Sequence, residues 1–179
     1  MEYHFQLPVK KEKIKKLRKG DILYITGKIF TARDEAHHKM LEIDKDKISF
    51  DPSKMALFHC GPLVKKEKKG EWKVISAGPT TSSRMEIFED KFIEKYNIPI
   101  IIGKGGMGKK TLSALKKHTG VYTAYTGGAG ALAADRIQKV TDVNWLKELG
   151  MPEAVWIFKV EKFGPLVVAM DSHGDSIYQ

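Results

Sequence analysis

Residues 98–120 read IPIIIGKGGMGKKTLSALKKHTG, and this stretch decides the fold class. Ile98 to Ile102 is an apolar run of strand length, with Pro99 near its start and Gly103 directly after it, as in strands buried on both faces. The glycine-rich loop Gly103 to Gly108 follows. Leu112 and Leu115 then carry a helix that runs to Gly120. Strand, loop and helix in that order are a building unit of mixed α/β architecture, with the loop at the strand's end.

The alternation extends both ways along the chain. Upstream, Asp21 to Lys28 sets Ile22 and Ile25 among polar neighbours as a strand does, and Thr31 is placed to cap a helix in which Ala36, Met40 and Ile43 recur. Ala56 to Cys60 reads as a short strand stopped by Gly61-Pro62, a lysine-rich turn spans Lys65 to Gly70, and Trp72 to Ala77 is a second strand. In MEIFEDKFIEKY, Met85, Phe88, Phe92 and Tyr96 form a helical stripe that reads as core. Downstream, Val121 to Thr126 is expected as strand, Gly127 to Gly130 as a tight loop and Ala131 to Val140 as a short helix. Ala154 to Val160 and Pro165 to Asp171 are expected as strands on either side of Lys162-Phe163-Gly164.

The whole chain has 179 residues, enough for one well-filled domain, and no repeat or serine-glycine linker divides it. With 42% hydrophobic residues and 16 glycines, the composition excludes a disordered tail or a collagen-like repeat. No apolar run approaches the roughly 20 residues of a membrane-spanning helix, and the start lacks the apolar core of a secretion signal, so a cytoplasmic location is expected. The formal net charge is +9, and residues 1–19 form a basic N-terminal segment whose Lys10 to Lys19 run holds one acid, Glu12. That run reads as an amphipathic first helix with a solvated face; an RNA or polyanion-binding module is the remote alternative. Trp72, Trp145 and Trp156 do not interleave with the run as a stacking platform would.

Three loops carry the chemistry. Arg33 sits in the first turn of a helix, where a cation opposes the helix dipole unless it serves something else. Thr80, Thr81, Ser82 and Ser83 precede Arg84 at another helix start, a gathering of hydroxyls, amides and a guanidinium suited to a carboxylate or phosphate. Lys104 stands among glycines that admit a ligand close to the backbone. The same loop imitates a nucleotide-binding loop, but Lys110 stands where the magnesium-binding hydroxyl is required. Each loop singly could be a turn or a surface ion pair; three of them after strands point to an anion site. His37 and His38 point about 100° apart on a helix, and His59 and Cys60 fall on opposite strand faces, so no metal site is expected from either pair.

Six colinear blocks carry a resemblance: GDILYITGKIFTARDEAHHKM, FHCGPLV, SAGPTTSSRMEIFEDKFIE, IIGKGGMG, GGAGALAA and LGMPEAVWIFKVEKFGPLVVAMDSHG, from Gly20 to Gly174. Together they resemble the β subunit of class I, iron-sulfur-dependent fumarate hydratase and of the related L(+)-tartrate dehydratase. The resemblance implies a swivelling β/β/α domain and reversible hydration of fumarate to L-malate, with tartrate dehydration as the alternative. It also implies a [4Fe-4S] cluster held by three cysteines, whose unique iron acts as a Lewis acid. This chain has one cysteine, Cys60, so a separate α subunit is expected to bring the cluster. A heterotetramer or a homodimer of β chains is the expected assembly.

Carried over residue by residue, the resemblance implies that Arg33, Thr80, Arg84 and Lys104 bind the dicarboxylate. Preorganised cations would stabilise the charge that develops when a proton leaves a carbon beside a carboxylate. Thr80 would exchange that proton, activated from the α subunit, or would only position the substrate. Asp34 and His37 would stand behind Arg33 and orient it. The basic segment is expected to dock the α subunit.

Overall fold

The computed structural model describes residues 1–68, 70–125 and 130–178. In chain order the elements are β1 (Glu2–Gln6), α1 (Lys11–Ile14), β2 (Ile22–Thr31), α2 (Asp34–Glu42), β3 (Ala56–Phe58), β4 (Leu63–Lys66), β5 (Trp72–Ser76), α3 (Glu86–Tyr96), β6 (Ile100–Gly103), α4 (Lys109–His118), β7 (Val121–Ala124), α5 (Gly130–Asp135), β8 (Ile137–Asn144), α6 (Leu146–Leu149) and β9 (Val155–Met170). One mixed α/β domain results.

Seven strands form one sheet in the order β1-β2-β3-β6-β7-β9-β8, and β2 also pairs with β9, so β2, β3, β6, β7 and β9 close into a ring. Within it β2, β3, β6 and β7 run parallel, and β9 returns antiparallel to β2 and β7. Side chains alternate between two cores, as the pleat requires. Ile29, Ala56, Phe58, Ile100, Ile102, Val121, Trp156 and Phe158 face one core. Phe30, Leu57, Ile101, Tyr122, Val155 and Ile157 face the other, under residues of α2, α3 and α4. Burial on both sides explains why Ile98 to Ile102 is continuously apolar. The end of α2 is closed by Lys95, whose Nζ donates to the carbonyls of Met40, Leu41 and Ile43 at 2.9, 2.9 and 2.5 Å.

Several elements depart from the sequence expectation. The Lys10 to Lys19 helix shrinks to the four residues of α1, and β1 before it pairs parallel with β2. Ile14 and Leu17 are fully buried while the lysines and Arg18 around them are exposed, so the segment keeps the amphipathic character expected of it in a shorter helix. The expected helix from Ala131 ends at Asp135, and β8 follows. Ile137 and Val140 are three apart because bulges interrupt the pairing of β8 with β9, and a bulge inserts a residue that mimics helical spacing. The two expected C-terminal strands are one, β9. The turn expected at Lys65 begins later, since Lys65 and Lys66 pair in β4 with β5. Residue 69 of the expected turn, residue 126 of the expected strand and residues 127–129 of the expected tight loop lie outside the described residues. No helix among the described residues is long and apolar enough to cross a membrane.

Candidate active site

The register of the parallel strands fixes where the three loops lie. Thr31, Phe58, Ile102 and Thr123 pair across β2, β3, β6 and β7, so their carboxyl ends finish on one line. Loops leaving the carboxyl ends of neighbouring parallel strands converge, and in sheets open or closed that edge is where ligands commonly bind. Arg33 follows the end of β2, His59 the end of β3, and Lys104 the end of β6. The 79–84 segment is tied in by a bridge from Cys60 to Pro79 and another from Thr81 to Lys104.

Arg33 is the residue before α2, and its side chain lies against Gly61, where a Cβ would come within 2.7 Å of its Cδ and 2.8 Å of Nη1. Its Nε sits 3.2 Å from Glu153 Oε1, while Glu153 Oε2 accepts from the Glu35 amide at the start of α2 at 3.1 Å. Arg84, half exposed, pairs with Asp34, so Asp34 orients Arg84 and Glu153 takes the place expected for it beside Arg33. The Thr80 amide donates to the His59 carbonyl at 2.7 Å, and the Ser82 amide to the Lys104 carbonyl at 3.0 Å. Arg33, Thr80 and Lys104 are partly exposed. The loops at this edge therefore carry two arginines, a lysine and a hydroxyl, with the segments of Thr80 and Lys104 joined by backbone hydrogen bonds, and these are group types that pair with small dianions.

Thr31 does not cap α2. Its hydroxyl accepts from the Trp156 amide at 3.0 Å and donates to the Ala154 carbonyl at 3.4 Å, tying β2 to the start of β9.

Beneath the edge lies a buried group that the sequence reading did not assemble. His37 Nε2 and His59 Nε2 each lie 3.1 Å from the same oxygen of Glu89, Oε2, and all three side chains are fully enclosed. His37 Nδ1 lies 2.7 Å from the Arg33 carbonyl, and His59 Nδ1 lies 2.9 Å from Ser82 Oγ, which accepts from the Lys104 amide at 3.1 Å. Burial pushes the Glu89 carboxyl up, but His59 and His37 draw it down further, to about 2. Burial lowers His37, yet Glu89 outweighs it and the net direction is up. For His59 burial prevails over Glu89, with His37 adding to it, and the net direction is down. These directions favour the anionic form of Glu89 and the neutral form of His59, and His37, with a carbonyl at Nδ1 and a carboxylate at Nε2, faces acceptors on both ring nitrogens.

The signal for this group was present in the sequence: Met85, Glu89, Phe92 and Tyr96 share a helix face, and all four are buried. A carboxylate on an apolar stripe demands partners. Ligand atoms of His37, His59 and Glu89 lie within 4.8 Å of one another, but each imidazole nitrogen already has a hydrogen-bond partner. An iron-sulfur cluster does not fit this chain. Its one cysteine, Cys60, is enclosed, and burial pushes its thiol up and away from the thiolate such a cluster requires.

Comparison with known proteins adds the following. Residues 2–179 match the family described as Fumarase C-terminus. A Methanocaldococcus jannaschii protein named as a candidate L(+)-tartrate dehydratase β subunit is 50% identical over 100% of this chain and 92% of its own length. The L(+)-tartrate dehydratase β subunit of Escherichia coli is 41% identical over 95% of this chain and 83% of its own length. A Geobacillus stearothermophilus protein named as a candidate class I fumarate hydratase is 43% identical over 97% of this chain, which spans 33% of that protein.

Proposed function

This chain belongs to the Fumarase C-terminus family, the group of class I fumarate hydratase and L(+)-tartrate dehydratase β subunits, and we propose that it is the dicarboxylate-gripping β subunit of such a hydro-lyase. The reaction in this reading is the reversible hydration of fumarate to L-malate. The observation that supports it is that the segments carrying Arg33, Thr80, Arg84 and Lys104 leave or adjoin one edge of the sheet, where the bridges Cys60–Pro79 and Thr81–Lys104 join the 79–84 segment to its neighbours. The closed sheet, with α2, α3 and α4 over one face and the shorter α1 and α5 on the other, is a mixed arrangement in keeping with a swivelling β/β/α domain.

In this reading the two arginines fork onto the substrate carboxylates, and Lys104 adds a point charge from a loop whose glycines leave room for the ligand. Their summed field favours the carbanion-like charge that builds beside a carboxylate as the proton leaves. The Thr80 hydroxyl exchanges that proton, its acidity increased by the same cations. Asp34 and Glu153 hold the arginines from behind, so little reorganisation remains when the substrate arrives. The [4Fe-4S] cluster belongs to a partner α subunit with three cysteines, and that subunit covers the partly exposed edge in the cytoplasm.

A second reading, dehydration of L(+)-tartrate, is favoured by the names of the relatives at 50% and 41% identity. Both are tested by coexpressing the chain with its α partner, reconstituting iron and sulfide anaerobically, and following L-malate and L(+)-tartrate turnover. The purified chain is expected to be inactive alone. Activity without a partner, or a loaded complex inert to both substrates, overturns the proposal.

A further inference from the structure

The group His37, Glu89 and His59 is unused by the chemistry above, yet it touches the loops that carry it. A single consistent placement of protons accounts for the contacts at Glu89 Oε2, while Glu89 Oε1 has no partner. His37 donates from Nδ1 to the Arg33 carbonyl and from Nε2 to Glu89 Oε2. His59 donates from Nε2 to the same oxygen and accepts at Nδ1 from Ser82 Oγ, which in turn accepts from the Lys104 amide. The His59 carbonyl also receives the Thr80 amide. A single carboxylate oxygen is thereby connected to the backbones at positions 33, 80 and 104.

We propose that Glu89 is the positioning residue of the site, a buried anion that holds the loops of Arg33, Thr80 and Lys104 in one register through His37 and His59. The substrate side of this inference rests on the dicarboxylate reading; the network itself does not. Enclosed charged hydrogen bonds are short-ranged and directional, and water cannot substitute for them here, so the loops share one alignment. Three facts oppose a merely structural role: the charge is costly to bury, the same helix face is otherwise apolar, and the partners are the site loops themselves. The titratable groups around His37 are Glu89 from α3, His59 after β3, and Asp34 on its own helix.

The test compares the wild type with Glu89→Gln, which keeps the shape and removes the charge, Glu89→Asp, and the surface control Glu94→Gln. In the full chain alone, nitrogen NMR of labelled histidine should show His37 protonated on both ring nitrogens near neutral pH and His59 protonated at Nε2. Glu89→Gln should discharge His37 and speed amide exchange at Thr80 and Lys104 by about tenfold or more, leaving the Gly108 amide, held by Glu86 at 2.7 Å, unchanged. In the reconstituted complex, Glu89→Gln should lower kcat/KM by about tenfold or more and move its alkaline limb to lower pH. Glu89→Asp should recover part of the loss, and Glu94→Gln should match the wild type. Two neutral rings in the wild type, a stoichiometric metal ion on the trio, or unchanged exchange at Thr80 and Lys104 overturns the proposal. An inert wild-type complex with the expected NMR and exchange results overturns only the dicarboxylate reading.

Discussion

Replacing Gly103 by alanine tests whether the site loops are packed as described. A Cβ at Gly103 would fall on Ser82 Oγ and lie 2.9 Å from the Tyr122 hydroxyl. Ser82 would have to swing away, giving up its contacts with His59 Nδ1 at 2.9 Å and the Lys104 amide at 3.1 Å. Leaving a buried nitrogen without a partner costs about 1–3 kcal/mol. Crowding by the added methyl costs about 1–3 kcal/mol more. The sum, about 2–6 kcal/mol, is a large fraction of the stability of an ordinary domain, about 5–15 kcal/mol. Ser82→Ala alone loses the same hydrogen bonds without the crowding, for about 2 kcal/mol. Once Oγ is gone, Gly103→Ala meets mainly the tyrosine, so the double variant should fall about 2 kcal/mol short of additivity. Urea unfolding followed by circular dichroism, at a common m-value, measures all three. Strict additivity would refute the claim that Gly103 is small to make room for Ser82.

Lys95→Met should lower stability by about 2 kcal/mol in the same assay, because three carbonyls at the end of α2 lose a charged donor. The proton on His37 adds stability that is complete below the free imidazole value of 6.5 and is lost as pH rises through the raised folded value. Wild-type stability should therefore decline above pH 6.5 more steeply than that of His37→Gln, as thermal melts across that range would reveal. In the reconstituted complex, Arg84→Lys should cut kcat/KM by about 10²-fold, since an ammonium cannot reproduce the fork; equal rates would remove Arg84 from the substrate. Thr80→Val should lower kcat by about 10²-fold or more with Thr80→Ser restoring most of it, whereas a change in KM alone would leave Thr80 a positioning role.

Much of the architecture was legible because burial writes itself into the residues. The run at Ile98 to Ile102 announced a strand covered on both faces, and Met85, Phe92 and Tyr96 announced a helix against it. β8 was misread because its bulges convert a two-residue period into a three-residue one. β1 was hidden by its mostly polar EYHFQ, an edge strand with one buried residue, Phe5. Of the site, the cations and hydroxyls were visible as residue types beside glycines. Their partners were not: Glu153 reaches Arg33 across 120 residues, and Glu89 reaches His37 across 52. Pairings at such separations follow from the closed sheet, which no local pattern encodes.

The ring of strands is sealed by its final member. β9 pairs with β2 across partners as remote as Ile22 and Val167, and with β7, after every other strand of the ring has been synthesised. Until it arrives, β2 and β7 present unsatisfied, apolar margins to whatever is nearby, the condition under which chains adhere to one another. The interval on the ribosome before β9 emerges is therefore the chain's vulnerable period. Truncations that stop short of Val155 should be found in inclusion bodies or bound to chaperones rather than as a smaller version of the native fold.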